Sequence, residues 1–314
     1  MSEFNKILAI IDATDETQKS LKRAVELAKK TDASITVLLV VYDFSYEMTT
    51  MLSGDERELM RRCMIEERTI WLDEILAPYA DQVQQIRPLV EWHNRPFEVI
   101  IKHTLQEQYD LIIKATHKHH LLHSVIFTPT DWHLIRKAPV PVLLVKDHAW
   151  PEHGNIIAAI NAANDEIDHK ILNQNIIKMA GKFAKILNAQ RYLLNCYPGT
   201  PINLTVEIPE FDPNQYRQAI RQHHINATLD YAKQYQVPQE NCLIEEGLPE
   251  DLINSVAKEK DAELIVIGTV GRTGLSAALL GNTAEHLLDA ANCDVLAIKP
   301  DGFVSPVKLD DKKQ

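Results

Sequence analysis

Three glycines and an asparagine carry the clearest chemistry in the sequence. Gly268 and Gly271 are followed, nine residues on, by Gly281 and Asn282, with Thr269, Arg272 and Thr283 beside them. They come directly after Leu264-Ile-Val-Ile267, an apolar run that reads as a buried parallel strand. They precede Ala284-Glu-His-Leu-Leu-Asp289, which reads as a helix start. Strand, glycine-bearing loop and helix N-terminus together form an anion site. Glycine lets the backbone approach a phosphate, and the first-turn N–H groups point at it. A helix N-terminus contributes about 0.3–1 kcal/mol per anion, up to ~2 when partly buried. Micromolar affinity requires about 8 kcal/mol. The loop therefore orients a phosphate, and a pocket for the rest of the ligand must supply the remainder.

The elements that position this loop occur twice. At a spacing of 153 residues, Leu111-Ile-Ile-Lys114 falls on the strand, while Ala115, Lys118 and Thr128 fall on the three glycines. From Pro96 to Lys146 the copies align without a gap, and Thr116/Thr269, Thr130/Thr283, His133/His286, Val142/Val295 and Lys146/Lys299 are identical pairs. Each half opens with an apolar strand, Ile7–Ile11 and Ile156–Ile160. An amphipathic helix follows, with Leu21, Ala24, Val25 and Ala28 on one face in the first half, and Ile176, Ile177, Ala180, Phe183, Ala184 and Leu187 in the second. Second strands follow at Ile35–Val41 and Tyr192–Cys196, then polar helices near 55–77 and 213–235. Third strands near 86–91 and 242–246 lead to helices with Pro96 and Pro249 in their first turns, where a missing N–H is harmless. Strands alternating with helices predict α/β domains with a parallel sheet covered on both faces. The expected domains are residues 1–147 and 154–300, joined by a polar linker and followed by a loosely held polar tail, 301–314.

The G-x-x-G-x9-G loop after a fourth strand, in a five-stranded domain, resembles the universal stress protein family in its tandem form. The resemblance covers nearly the whole chain. It implies two open five-stranded parallel-sheet domains of the adenine nucleotide alpha hydrolase-like type, the second with its phosphate loop retained and the first with it eroded. In that family some members bind ATP. The implied phosphate contacts here are Gly268, Thr269, Gly271, Arg272, Gly281, Asn282 and Thr283, with Asn282 standing where the family has Ser or Thr. ATP-binding members place an Asp at the end of the first strand, against the adenine; Asp12 holds that position in the first half and Asn161 in the second. Family members dimerise through the last strand, which implies an internal pseudo-dimer of the two halves through Val142–Val145 and Val295–Ile298. The resemblance also implies a cytoplasmic role in survival under starvation, oxidative or DNA-damaging stress.

Other residues invite separate readings. A left-handed conformation costs a non-glycine residue roughly 1–2 kcal/mol, so Ala115, Lys118 and Thr128 predict a first-half loop of changed shape that does not bind nucleotide in the family manner. That loop holds His117, His119, His120 and His123, with His133 further on. Clustered imidazoles suit zinc, with His117 and His119 as the candidate ligands; the alternative is a polar loop of solvated histidines. Ile202, Leu204, Val206 and Ile208 alternate with polar residues after the second strand, and 43–52 is the first-half counterpart. Such connections leave the carboxyl ends of the strands, where open sheets bind ligands. They read either as a wall for the apolar part of a ligand, together with Asp12, or as cover for the core.

Composition narrows the function. The net charge of −11 argues against a nucleic-acid backbone as partner. No apolar run reaches the ~20 residues of a membrane span. Cys63, Cys196, Cys242 and Cys293 are scattered and read as reduced thiols. There is no GxxxxGK[ST] loop, GxSxG elbow, HExxH or GxGxxG fingerprint, and no nucleophile beside a base. Together with the resemblance, which implies ATP as the ligand, the sequence points to a non-enzymatic protein that binds ATP or another phosphorylated small molecule. The alternatives are a ligand-independent scaffold acting through a protein partner, or a weak nucleotide hydrolase.

Overall fold

The computed structural model describes residues 4–15, 17–45, 52–118, 125–126, 128–199, 212–269, 288 and 290–309. The chain divides into two compact units. One comprises residues 1–121, 126–146 and 304–314, the other 122–125 and 147–303.

In the first unit β1 (Lys6–Ile11), α1 (Lys19–Thr31), β2 (Ser34–Val41), α2 (Gly54–Leu76), β3 (Ile86–Trp92), α3 (Pro96–Glu107) and β4 (Leu111–Ala115) follow one another. Two short strands, β5 (His117–Lys118) and β6 (Val125–Ile126), precede α4 (Pro129–Lys137) and β7 (Val142–Val145). The sheet runs in the order β3-β2-β1-β4-β7, every pair parallel. The five residues of β4 are all buried, as a strand covered on both faces must be. Helix α1 lays Leu21, Ala24, Val25 and Ala28 against the sheet, the face its spacing predicts. Helix α2 starts at a capping box in which Ser53 and Glu56 exchange hydrogen bonds.

The second unit repeats this plan with β8 (Asn155–Ile160), α5 (Ile167–Leu187), β9 (Gln190–Tyr197), α6 (Pro213–Gln234), β10 (Cys242–Glu246), α7 (Pro249–Glu259), β11 (Ala262–Gly268) and β12 (Asp294–Ile298). Its order is β10-β9-β8-β11-β12, again all parallel. Equivalent residues make equivalent bonds. Thr116 donates its N–H and hydroxyl to Val145 O at 3.0 and 3.2 Å; Thr269 does the same to Ile298 O at 2.9 and 3.1 Å.

In each unit the chain builds outward from its first strand in one direction, then resumes on the other side with the fourth. The carboxyl ends of β1 and β4, and of β8 and β11, therefore flank a switch point, the crevice where open α/β sheets take ligands. Two connecting regions are better anchored than their polarity predicts. Linker residue Trp150 is buried edge-on against Phe183, and after β12 Asp301 accepts from Asn175 at 2.7 Å while Ser305 is buried.

Candidate functional site

At the first unit's switch point lies a cavity of about 500 Å³, within the ~300–1,000 Å³ of small-molecule sites. Its floor is made by the strand ends: Ile10, Ile11 and Asp12 after β1, Leu39 and Val41 of β2, and Ala115 of β4. Met64 and Arg68 of α2 and Trp92 at the end of β3 form one side. Tyr42 packs against Trp92 with ring centroids 5.7 Å apart, and the Arg61 guanidinium lies 5.8 Å from the same indole. Asp12 lies on the floor, and its Oδ1 accepts from Thr14 N and Oγ1 at 2.8 and 2.7 Å. Asp15 and Asp43 stand at the rim. Burial opposes ionisation of Asp15, but hydrogen bonds from Thr17 and the charge of Lys19 outweigh it and hold the carboxyl below its usual range. Asp43 is held low by Ser45, which donates from both hydroxyl and backbone.

The N-terminus of α4 also borders this cavity, through Thr128 and Thr130. Thr128 is extended, with φ −73° and ψ 158°, and Ala115 lies in β4, so neither adopts a left-handed conformation. Where the second copy has its third glycine, the first has a capping box. Thr128 Oγ1 accepts from Asp131 N at 3.3 Å, and Asp131 Oδ2 accepts from Thr128 N at 2.7 Å and Oγ1 at 2.9 Å. Asp131 is fully buried, and its Oδ1 is 2.6 Å from Nζ of Lys114, the one charged residue of β4. A carboxylate belonging to the chain thus sits at the positive end of the helix, compensated by a buried ammonium.

The second unit is arranged differently at the same place. Asn161 follows β8; its backbone N–H donates to Asn173 Oδ1 at 3.1 Å, and its carbonyl accepts from Asn173 Nδ2 at 2.8 Å. Ala162 N donates to Asn195 Oδ1 at 3.1 Å, and Asn195 Nδ2 meets His224 Nδ1 at 2.9 Å. His224 stacks on Tyr197, and burial, with His223 nearby, keeps its pKa below the ordinary imidazole value. The Nδ1 that takes the Asn195 amide proton is therefore the unprotonated nitrogen of a neutral ring. Gly268 closes β11 beside α5, where an added Cβ would meet Leu172 Cδ2 at 2.5 Å. Close helix packing favours glycine here, without any left-handed φ. Ile267 and Ala284 stand where the first copy has Lys114 and Asp131.

The model of the "Universal stress protein family" matches residues 3–146 and 167–299. The chain belongs to the universal stress protein family. It is 45% identical to "Universal stress protein E" of Escherichia coli K12 over 314 residues, covering all of this chain and 99% of that protein. It is 38% identical to the "Universal stress protein E homolog" of Haemophilus influenzae, over 95% of this chain and 98% of that one. Among solved structures, a functionally unknown protein from Pseudomonas aeruginosa PAO1 superposes with a TM-score of 0.75 at 28% identity, covering 96% of this chain and 94% of that one.

Within this universal stress protein the predicted site residues are unequally placed. Asp12 lines the first cavity, and Asn161, Gly268 and Thr269 stand at the carboxyl ends of β8 and β11, with the Thr269 hydroxyl bonded to Ile298 O. Gly271, Arg272, Gly281, Asn282 and Thr283 lie outside the described residues, as do Ile202, Leu204, Val206 and His119. The first-half counterpart of the predicted apolar wall does reach the cavity, through Asp43 and Phe44. His117 is described only as part of β5, and His133 stacks on Phe97 with centroids 4.0 Å apart. Among the described residues no three His, Cys, Asp or Glu side chains converge as metal ligands. Sequence reading missed the Lys114–Asp131 pair and the Trp92–Tyr42 wall. A signal for the pair was present: both members are charged where the second copy is apolar.

Proposed function

We propose that this universal stress protein is a non-enzymatic stress-response protein of the cytoplasm that binds ATP or another phosphorylated small molecule through the Gly268/Gly271/Gly281 loop of its second domain. The observation that supports this most is that Gly268 ends β11, the strand that flanks the switch point together with β8. The loop that follows carries the remaining glycines, and Ala284 leaves that position without the carboxylate that Asp131 supplies in the first copy. Among the described residues no helix is long and apolar enough to cross a membrane.

The test compares native and denaturing mass spectra of the tag-free chain, then titrates ATP into wild type and Gly281→Val. A ligand mass removed by denaturation, or ATP binding that Gly281→Val weakens at least tenfold, supports the reading. ATP binding indifferent to that substitution overturns the assignment to this loop. One observation favours a scaffold acting through a protein partner: Asn173 and Asn195 already occupy the backbone N–H groups of Asn161 and Ala162, leaving fewer donors for a base. Absence of any retained or added phosphorylated ligand would put that reading first.

A further inference from the structure

We propose that the first-domain cavity is a ligand site of its own, selective for flat aromatic molecules that carry no anionic group, because Asp131 holds as part of the chain the position a ligand anion would take. The cavity has the volume of a small-molecule site and a wall built for a ring: Trp92 with Tyr42 against it, and Phe44 at the mouth. Tyr42 and Phe44 are 39% and 61% exposed, although both are large apolar side chains. The helix end that would attract a phosphate already has a carboxylate of the chain bonded to its cap residue. The Thr128 N–H and hydroxyl both go to Asp131, and the lining residue Lys114 is held by the same carboxylate. The remaining charge disfavours anions. Asp12, Asp15 and Asp43 line the cavity against Arg68 and the paired Lys114, and the hydrogen bonds to Asp15 and Asp43 keep those carboxyls ionised.

The second copy marks the residues responsible. Its Ile267 and Ala284 stand at the aligned positions in place of the pair. The first domain has therefore kept the ring subsite and given its anion subsite a permanent internal occupant. This reading is independent of what the second-domain loop binds.

The test uses adenosine and ATP as probes that share a ring and differ in charge. Binding to the full chain is read from the 19F resonance of 5-fluorotryptophan at position 92, which separates this cavity from any second-domain site. Wild type is expected to bind adenosine at least tenfold more tightly than ATP at this position. In Lys114→Ile/Asp131→Ala, which installs the second copy's residues and keeps the interior neutral, ATP should tighten roughly tenfold or more as the helix end opens, with adenosine changed less than twofold. Lys114→Met/Asp131→Asn, which keeps both side-chain shapes and leaves no orphaned ammonium, should move ATP in the same direction, and it serves if the first double variant does not fold. Failure of adenosine to shift the resonance, ATP binding as tight as adenosine in wild type, or unchanged ATP affinity in the folded variant overturns the proposal.

Discussion

Removing the Asp131 carboxylate tests the structural half of this account directly. Its partner, Lys114, is 10% exposed on β4, and Asp131 is fully buried, so neither charge has water to fall back on. Breaking a buried pair from one side leaves the other charge uncompensated, at about 3–5 kcal/mol. Asp131→Ala also removes one side of the capping box of α4, which adds about 1 kcal/mol. The sum is a large part of the ~5–15 kcal/mol that holds a domain together. Adding Lys114→Ile should recover most of it, because an apolar residue of similar reach replaces the orphaned charge, and only the cap term should remain. Urea unfolding followed by tryptophan fluorescence resolves the first domain, since Trp71, Trp92 and Trp132 belong to it and Trp150 to the second. A single variant within about 1 kcal/mol of wild type, or a double variant no more stable than the single, would refute the claim that the two charges hold each other in place.

Three further outcomes follow from the geometry. Gly268→Ala should destabilise the second domain by about 1–3 kcal/mol through overpacking against Leu172; denaturant melts check this, and Leu172→Ala should relieve the strain. Burial pushes the Lys299 ammonium down to about 8 despite the Phe303 ring 4.7 Å away. Above that pH the unfolded chain binds the extra proton, so stability should rise by up to about 3 kcal/mol between pH 8 and 10.5, and Lys299→Met should flatten that rise in urea melts. His224 is also depressed by burial, so its contribution should fall as pH drops below the unfolded value near 6.5. In His224→Gln the loss of stability between pH 7 and 5 should be smaller than in wild type.

How much of this was legible in the sequence depended on distance along the chain. The apolar faces of α1 and α5 and the fully buried β4 and β12 follow from period and composition, and the structure buries those same residues. The repeat was legible down to single hydrogen bonds, since Thr116 and Thr269 are identical and bond alike. Contacts between elements were not. Lys114 meets Asp131 only because β4 ends beside the start of α4, and neither residue belongs to a motif. Gly268 was legible as a glycine, but the approach of Leu172 from α5, a second demand on the same position, was not. Tyr42 and Trp92 come from neighbouring strands and meet only through the register of β2 and β3.

The two copies pose one electrostatic problem and solve it in two ways. In the first unit the fourth strand leads to the start of a helix, as the sequence predicts for the second, and free N–H groups at such a start attract negative charge. The first copy answers with Asp131, neutralised in turn by Lys114, so a carboxylate stands at its helix end whether or not anything is bound. On the proposed reading the second copy leaves the answer to a ligand. A ligand that binds only the folded state stabilises it by RT ln(1 + [L]/Kd), about 2.7 kcal/mol at a hundredfold excess over Kd. Saturating ATP should then raise the unfolding midpoint of the half that contains Trp150 and leave that of the half containing Trp71, Trp92 and Trp132 where it was. The transition that moves identifies the domain whose helix end depends on its ligand. If the tryptophan-rich half moves instead, Asp131 is not the occupant that makes that half independent of ATP.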